Sequence, residues 1–314
     1  MIFKVLPLCV FGQNIMSVKN ANGESGQIVY VEIEITNFVP FVAFQFDLTY
    51  SGSAFTFDKP LSALTDRKDG HSLSLSEPAP GTIRAISYSS SLKSFKGNSG
   101  AVIRIAFRCS TQQFGGFPFN LSNAIIGNSS SQNILNQTNN GTITIGKTQT
   151  ITLYQGWTWF SLNIKPVSWK FSDVMGAYSP KDGDYIKNQT TSITFYDGFG
   201  WFGELQEFDP KTMYKIKLSS AAVITIFGTP VNSAEYPITI NQGWTWIGYL
   251  PQLPLSITDA LSSINPVGNE YIKNQTVSTM FYAGSGWFGE LMELKPGDGY
   301  MIYTGHQATL RYTN

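Results

Sequence analysis

Apolar and polar residues alternate with a period of two along residues 27–145. The segment QIVYVEIEI places its valines and isoleucines on one side of an extended chain and its two glutamates on the other, and FVAFQFDLTY repeats the pattern. This is the period of a half-buried β-strand, because successive side chains of a strand point to opposite faces. Segments rich in Gly, Pro and Ser, such as EPAPG and FKGNSG, separate the strands, and no helical period extends beyond a turn or two. The pattern predicts a β-sandwich.

The remainder of the chain contains a duplication. Three phrases recur at an offset of 86 or 87 residues: ITLYQGWTWFSLNI with ITINQGWTWIGYLP, YIKNQT with itself, and FYDGFGWFGELQE with FYAGSGWFGELME. Six of the seven tryptophans occupy matched positions, and only Trp169 is unpaired. A constant offset over three separate phrases indicates an internal repeat. We therefore expect two similar small β-rich modules.

The two copies share one predicted order of elements. A strand carrying QGWTW precedes a short helix candidate, SWKFSDVMGAYS or LSITDALSSI, and Ser256 with Asp259 forms a weak capping arrangement in the second copy. A hairpin with glycines in its turn follows, and the strand YKIKL or YMIYT closes the copy. We expect a mainly all-β chain with a sandwich over residues 13–147, a first GW-rich module over 148–232 and a second over 233–314.

The first block carries a family resemblance over residues 18–146. The phrases VEIEITNFVPFVAFQFDLTYSGSAFTF, GTIRAISYSSSLKSFKGNSGAVIRIAF, FPFNLSNAIIGNSSSQNI and NGTITI follow one another in an order that resembles a cohesin domain. The resemblance implies a jelly-roll sandwich of the kind that anchors enzyme-borne dockerin modules in cellulosomes. That fold is also similar to some carbohydrate-binding modules, so a protein and a polysaccharide both remain candidate partners. The repeats are similar to GW-rich tandem repeats of large secreted bacterial surface proteins.

The resemblance also points to the strand FVAFQFDLTY as a partner-binding strand. Well-known dockerin-binding cohesins present a polar Asn and Asp there, where this chain has Ala43 and Gln45. The Ala43 side chain forms no hydrogen bond and Gln45 carries no charge, so the resemblance implies the fold and leaves recognition of a standard dockerin open. We take Gln45, Asp47 and Thr49 as candidate residues for binding a dockerin-like or other surface protein.

The N-terminal segment MIFKVLPLCVFGQN predicts a signal peptide over residues 1–12. Lys4 precedes an apolar run, and small or β-branched residues stand ahead of a possible cleavage point. An apolar first strand is the alternative, and a lipoprotein signal at Cys9 is weaker because Leu8 stands where such signals have a small residue. The run is too short to span a bilayer, so we expect no membrane insertion. The prediction places the protein outside the cell or on its surface.

Charge and cysteine content exclude several classes of function. Lys plus Arg and Asp plus Glu are 21 each, so the chain has no net basic field to attract nucleic acid or anionic lipid. Charged residues are only 13% of the chain, which is typical of secreted β-proteins that stay soluble through neutral polar groups. Two cysteines, Cys9 and Cys109, build neither a disulfide framework nor a cysteine metal site. Cys109 shares a strand face with apolar residues, so we expect a buried, inert thiol.

The tryptophans divide into two predicted classes. In QGWTW the two indoles share one strand face while apolar residues load the other, so we expect them to build a core. Trp201 and Trp287 each follow a glycine turn, where the backbone is expected at the surface. Indole faces stack on pyranose rings as well as on one another, so ligand contact and structural packing both remain open. We take Trp201 and Trp287, together with Phe199, Tyr196 and Tyr282, as candidate ligand-binding residues.

Glycoside hydrolysis needs two facing carboxyl groups, and the chain contains two closely spaced acidic pairs. The repeated GWFGEL motif offers Glu204 with Glu207 and Glu290 with Glu293. Three residues apart on a strand, the two side chains of a pair point to opposite faces. Neither pair therefore predicts catalysis.

Metal and nucleotide motifs are also missing from the sequence pattern. His71 and His306 lie in loop-like segments without a second His or Cys at metal spacing, so solvated histidines are expected. Asp182 and Asp184 lack the acidic spacing of a calcium loop, which favours a solvated turn. No phosphate loop, dinucleotide fingerprint or nucleophile elbow occurs. We expect no cofactor, no metal site and no catalytic set.

These patterns predict a non-catalytic, secreted or cell-surface scaffold or adhesion protein that acts through protein or glycan contacts. Two alternatives remain at this point. One is an array of carbohydrate-binding modules, and the other is a non-catalytic fragment of a larger polysaccharide-degrading enzyme.

Overall fold

The computed structural model describes residues 12–312. The signal-peptide prediction, including Cys9, concerns residues 1–12 and lies outside this range except for Gly12. The chain divides between Gly146 and Lys147 into two compact units. Both units consist mainly of β-strands, which confirms the predicted fold class.

The first unit is a two-sheet sandwich built from strands with the predicted period of two. Its strands are β1 (Ile15–Val18), β2 (Ala21–Glu24), β3 (Ile28–Thr36), β4 (Ala43–Thr49), β5 (Phe55–Leu64), β6 (Ser72–Ala79), β7 (Thr82–Tyr88), β8 (Ala101–Cys109), β9 (Gly115–Gly127), β10 (Gln137–Asn139) and β11 (Gly141–Leu153). Of β11, residues 141–146 belong to this unit and residues 147–153 to the second.

The two sheets of the first unit share one apolar core. One sheet has the order β10-β1-β3-β8-β5, and the other has the order β11-β9-β4-β7-β6, with β2 pairing parallel to β11. Strands of both sheets supply the core residues, which include Ile33, Phe44, Phe46, Phe107 and Phe119. Burying each such side chain stabilises the fold by about 1.5–3 kcal/mol.

Cys109 lies in this core and is 2% exposed. Burial, with a smaller contribution from Glu24, raises the pKa of its thiol to about 11. The thiolate, which is the reactive form, is therefore scarce at neutral pH. The expected burial of this thiol is confirmed, and its low reactivity stays a prediction.

The second unit contains both repeats. Its elements after β11 are β12 (Gly156–Phe160), β13 (Ile164–Lys165), α1 (Phe171–Val174), β14 (Tyr185–Lys187), β15 (Ser192–Tyr196), β16 (Gly200–Gly203), β17 (Tyr214–Leu218), β18 (Ala222–Pro230), β19 (Ile238–Ile240), β20 (Gly243–Gly248), β21 (Leu255–Ser256), α2 (Ile257–Ala260), β22 (Tyr271–Lys273), β23 (Ser278–Tyr282), β24 (Gly286–Gly289), β25 (Glu293–Leu294), β26 (Gly299–Thr304) and β27 (Ala308–Leu310). Two 3₁₀ turns occupy Ser233–Glu235 and Ser262–Ile264.

The two copies form the same five-stranded antiparallel sheet. The first has the order β12-β17-β14-β15-β16, and the second has the order β20-β26-β22-β23-β24. The predicted closing strand of each copy, β17 or β26, is not the last one, because β18 or β27 follows it and pairs outside these sheets. Each copy therefore continues past its predicted closing strand, and it also contains a strand over the YIK of YIKNQT, β14 or β22, that was not predicted.

The helices are shorter than the candidate segments, with four residues each in α1 and α2. The predicted cap is present at α2, where the Ser256 hydroxyl accepts a hydrogen bond from the Asp259 amide at 3.1 Å. No side chain caps the N-terminus of α1.

The last glycine of the repeated GWFG phrase is required by the close approach of the two hairpin strands. Gly203 and Gly289 have φ of 150° and 152°, and a Cβ at either position would collide with the backbone carbonyl oxygen of Ser192 or Ser278. Only glycine allows the two hairpin strands to approach this closely.

Candidate functional site

The tryptophans of QGWTW lie on the outward faces of the repeat sheets. Trp157 and Trp244 are 41% and 39% exposed, while Trp159 and Trp246 are half-buried. The alternating position Phe160 has no exposed surface and belongs to the core. The expectation that these indoles build the core is therefore wrong: the strand buries its Thr and Phe side instead.

Trp201 and Trp287 show the opposite placement. Trp287 is 9% exposed and packs edge-on against Phe281 with ring centroids 5.2 Å apart. Trp201 is half-buried and contacts Phe195 at 5.4 Å and Phe171 at 5.0 Å. Of the two alternatives that the sequence left open, structural packing is the one observed, because the hairpin register pairs each indole with an inward-facing phenylalanine.

The other face of each hairpin exposes aromatic rings. Tyr196 lies 6.0 Å from Phe202, and Tyr282 lies 5.8 Å from Phe288, all four of them exposed. Phe199, in the first turn, is also exposed. The ligand-binding role expected for Trp201, Trp287, Phe199, Tyr196 and Tyr282 stays a prediction. Phe202 and Phe288 were missed, although their alternation with the buried indoles was the signal that places them outside.

An aromatic row crosses the outward face of the second sheet. Trp244 stands opposite Tyr303, which stands opposite Tyr271, and the indole lies 5.7 Å from the first ring and 5.9 Å from the second. In the first copy Trp157 faces Tyr185 at 6.1 Å across Lys217. Both sheets thus present an outward row that begins with an exposed indole.

The two copies clasp each other through glutamine side chains. The Gln275 amide donates to the Trp157 carbonyl at 2.8 Å, and its oxygen accepts from the Trp159 amide at 2.8 Å. Gln189, the matched residue, donates to the Trp244 carbonyl at 2.9 Å and accepts from the Trp246 amide at 2.8 Å. The glutamine of each NQT phrase therefore binds the tryptophan strand of the other copy, which makes the contact reciprocal.

Lysines gather beside the half-buried indoles. The Lys215 ammonium lies 3.8 Å from the Trp159 ring centroid and 4.4 Å from that of Trp246. Lys187 lies 5.4 Å from the Trp246 ring, and Lys273 lies 5.8 Å from Trp159. These distances suit cation–π attraction, which is worth about 0.5–2 kcal/mol per pair.

The electrostatic environment of Lys215 is unfavourable for its charge. Burial first, and then the neighbouring ammonium groups of Lys187 and Lys273, lower the pKa of Lys215 to about 8. Its counterpart in the second copy is Met301, which carries no charge. A titratable cation therefore occupies this position in the first copy, and an uncharged side chain occupies it in the second.

The candidate partner-binding residues of the first unit share the outward face of β4. Asp47 is 5% exposed and accepts two hydrogen bonds from Arg84, both at 2.7 Å, and one from Asn123 at 2.8 Å. The Arg84 hydrogen bonds are the largest cause of the lowered pKa of Asp47, with Asn123 adding to it against burial. Gln45 lies two residues before Asp47 and Thr49 lies two residues after it, so all three are on the same face of β4.

Apolar side chains lie beside this ion pair. In register, Gln45 stands between Ile86 and Ile125, and Ala43 stands opposite Tyr88. Tyr88 is 52% exposed, and Ile125 is also exposed. Arg84, Ile86, Tyr88 and Ile125 were missed in the sequence, although the alternation of TIRAISY already separates its arginine and tyrosine from the buried residues.

Asp184 is not in a solvated turn, as expected from the sequence, but buried at 1% exposure. Its carboxylate accepts hydrogen bonds from the Tyr178 hydroxyl at 2.5 Å, the Lys181 amide at 2.8 Å and the Ser219 amide at 3.0 Å. It therefore organises the loop before β14. Asp182 accepts from the Asp197 amide at 3.0 Å and remains exposed.

The two histidines are also more enclosed than predicted. His71 lies against Phe95 with ring centroids 3.7 Å apart and the rings tilted by 33°, and burial lowers the pKa of His71. His306 places Nδ1 3.7 Å from a carboxylate oxygen of the fully buried Glu270. The expectation of solvated loop histidines is wrong for both, because each ring covers a neighbouring buried group.

Chemical groups for metal binding are not brought together in the described range. Within residues 12–312 no cluster of three or more His, Cys, Asp or Glu side chains could hold a metal ion. The glutamates at 204, 207, 290 and 293 are all exposed. None of the helices in this range has the length and apolar content needed to cross a bilayer.

Comparison with known proteins gives one family and a set of distant structures. Residues 15–145 match the model of the cohesin domain family. No match is found among curated proteins.

Three cohesins of known structure are similar to this chain. The sixth cohesin of scaffoldin B from Acetivibrio cellulolyticus, in complex with a mutant dockerin, is 12% identical, with 43% of this chain and 99% of that chain covered and a TM-score of 0.39. The seventh type I cohesin of ScaB from Pseudobacteroides cellulosolvens is 19% identical, with 44% and 94% covered and a TM-score of 0.37. A non-cellulosomal cohesin from Archaeoglobus fulgidus is 15% identical, with 43% and 91% covered and a TM-score of 0.37.

The family match, rather than these distant likenesses, carries the assignment of the first block. It spans nearly all of the described part of the first unit and ends where the repeats begin. Residues 15–145 therefore match the cohesin domain family, which confirms the resemblance indicated by the sequence.

Proposed function

We propose that the chain is a non-catalytic scaffold or adhesion protein whose residues 15–145 bind a protein partner. The observation that carries the proposal is the outward face of β6, β7, β4 and β9 in the segment that matches the cohesin family. On this face exposed apolar groups surround an ion pair that is already hydrogen-bonded. A dockerin-type module is the partner class that we propose, since a similar cohesin is described in complex with a dockerin.

The chemistry of the face supports a specific interface. Tyr88 and Ile125 offer aromatic and aliphatic contact area, which forms the centre of many protein interfaces. Arg84 and Asn123 hold the Asp47 carboxylate in place, so a partner need not order it on binding. Ala43 makes one end of the face apolar, and this favours a partner whose contact residues are less polar than those of a standard dockerin.

An extracellular or cell-surface location is part of the proposal. The predicted signal peptide over residues 1–12 supports it, as does the low content of charged residues. The alternative of a carbohydrate-binding array is favoured by one observation, the exposed aromatic rows of the repeat sheets.

The proposal is tested by measuring partner binding with the full chain. A panel of purified dockerin modules is passed over immobilised wild-type protein and over Tyr88→Ala and Ile125→Ala variants. Tyr30→Ala is the matched control, since Tyr30 is similarly exposed, at 46%, on the other sheet.

We expect at least one module to bind, and each of the two face variants to weaken that binding about 10-fold or more, as removal of an interface anchor does. Unchanged binding in both face variants, or an equal loss in Tyr30→Ala, would place the contact on another surface. Failure of the whole panel to bind the wild type would reject a dockerin-type partner.

A further inference from the structure

The outward faces of the repeat sheets carry cations without acidic partners. Lys187, Lys215, Lys217 and Lys273 all lie on these faces. In the described part of the chain no carboxylate forms an ion pair with any of them. The net charge of the chain is zero, so this local excess of positive charge exists because charges are segregated over the surface.

Each exposed indole has one of these lysines as a neighbour. Lys217 stands directly opposite Trp157 in the register of β12 and β17. The Lys273 ammonium lies 5.4 Å from the centroid of the Trp244 ring. An exposed indole thus has a lysine neighbour in each copy, supplied by β17 in the first copy and by β22 in the second.

We propose that these faces bind an acidic polysaccharide whose carboxylated sugar rings stack on Trp157 and Trp244 while Lys217 and Lys273 pair with the carboxylates. Indole and phenol rings offer flat apolar surfaces that match the C–H faces of pyranose rings. An ammonium beside each ring supplies the charge-assisted hydrogen bonds that a carboxylate on the same sugar requires. The proposal concerns the repeated half and does not depend on partner binding by residues 15–145.

The position of the acidic residues favours the faces over the neighbouring cleft. A cleft of about 470 Å³ beside Trp159 is lined by Tyr154, Gln275 and Asp298, among other residues. The carboxyl group of Asp298 lines the cleft, and an anionic ligand there would meet that group directly. An acidic chain is therefore accommodated along the lysine-bearing rows and not in the cleft.

Charge complementarity also selects this occupant among polymers. A neutral polysaccharide would stack on the indoles but would leave the four ammonium groups without a counter-charge. A nucleic acid carries phosphates at close and regular spacing, and four lysines divided between two sheets are too few to follow them. An acidic peptide lacks the repeated ring faces that two matched indoles would contact.

Isothermal titration calorimetry of the full chain tests the proposal. The probes are polygalacturonate, alginate, and methyl-esterified polygalacturonate, which keeps the sugar backbone and loses the charge. The variants are Trp157→Ala, Trp244→Ala, Lys217→Met and Lys273→Met. Lys165→Met is the control, because Lys165 is an exposed lysine of the same unit outside both sheets.

We expect one of the two acidic polymers to bind, with an affinity that falls as salt is added. The esterified polymer should bind at least about 10-fold more weakly, a difference of about 1.4 kcal/mol. Each of the four variants should weaken binding several-fold while the control does not. The indole N–H signals of Trp157 and Trp244 should shift in NMR spectra during the titration, which separates ligand contact from a loss of fold.

Four results would overturn the proposal. The first is absence of binding to both acidic polymers. The second is equal binding of the charged and esterified forms, which would indicate a neutral-sugar site. The third is a loss of affinity in Lys165→Met as large as that in Lys273→Met. The fourth is equal or tighter binding of single-stranded DNA or polyglutamate.

Discussion

Gln189 and Gln275 occupy matched positions of the two copies, and each binds the backbone of the tryptophan strand in the opposite copy. A glutamine amide offers one donor and one acceptor group, so a single side chain satisfies a carbonyl and an amide of an edge strand. The repeats thereby protect each other's edge strands, which would otherwise be open to pairing with another chain. This relation explains why NQT and QGWTW are repeated together.

Removal of one clasp should destabilise the second unit. In Gln275→Ala, the Trp157 carbonyl and the Trp159 amide lose their partners, and we expect the free energy of unfolding to fall by about 1–3 kcal/mol. All seven tryptophans lie after residue 147, so indole fluorescence in urea follows this unit selectively. Gln307→Ala is the control, since Gln307 is exposed and its side chain forms no hydrogen bond within residues 12–312.

The double variant Gln189→Ala with Gln275→Ala tests whether the two clasps act together. If the first loss already loosens the contact between copies, the second should cost less than it does alone. Full additivity, or equal stability of Gln275→Ala and Gln307→Ala, would contradict a reciprocal clasp.

The two tryptophan classes should differ in stability. Trp287→Ala removes an indole that is packed in the core, and we expect a loss of about 3–5 kcal/mol. Trp157→Ala removes a largely outward indole and should cost less than about 1 kcal/mol. Thermal melting by far-UV circular dichroism compares them, and a larger loss in Trp157→Ala would mean that its face is covered by packing.

The sequence predicted the duplication and the hairpins but placed the QGWTW indoles on the wrong face of their strand. In QGWTWF both sides of the strand are apolar, so the period of two groups the residues without saying which side is buried. The deciding signal lies in YKIKL, where lysines alternate with core residues and stand opposite Trp157 and Trp159. Because that information requires the strand register, it was not accessible from the alternation of one strand.

The first unit was more predictable for a related reason. In QIVYVEIEI one side of the strand is charged, so the buried side follows directly from the pattern. The ion pair of Asp47 with Arg84 joins residues 37 positions apart in the sequence and depends on the pairing of β4 with β7. Long-range contacts of this kind are set by topology, which a pattern of local periods does not contain. The domain boundaries expected at 147 and 232 stay a prediction.

Arg84 should give the first unit part of its acid sensitivity. Arg84 holds the folded-state pKa of Asp47 below its unfolded value of about 3.9, so this stabilisation is present above that pH and is lost as pH falls through the folded pKa. In Arg84→Met we expect lower stability at pH 7 and a smaller change between neutral and acidic pH.

The thiol of Cys109 provides a readout for that unit. In a Cys9→Ser background Cys109 is the one remaining thiol, and its buried position makes labelling a measure of unfolding. Lys59→Met, at an exposed position of the same unit, is the control. If the rate of Cys109 labelling changes with pH in the same way in wild type and Arg84→Met, the ion pair does not contribute to the acid sensitivity.

Lys215 should make the second unit more stable as pH rises above 8. Its folded-state pKa of about 8 is lower than the unfolded value of about 10.4, so between these values the unfolded chain binds more protons and stability increases with pH. The ammonium groups of Lys187 and Lys273 and the rings of Trp159 and Trp246 face this group, and they are unchanged in Lys215→Met. Methionine is the residue that the second copy already carries at the matched position, Met301, so the variant should fold. Urea unfolding followed by indole fluorescence at pH 7, 8 and 9 should show a gain in the wild type relative to Lys215→Met. An equal pH dependence in both proteins would mean that Lys215 titrates at its ordinary value and that the two indoles stabilise its charge as well as water does.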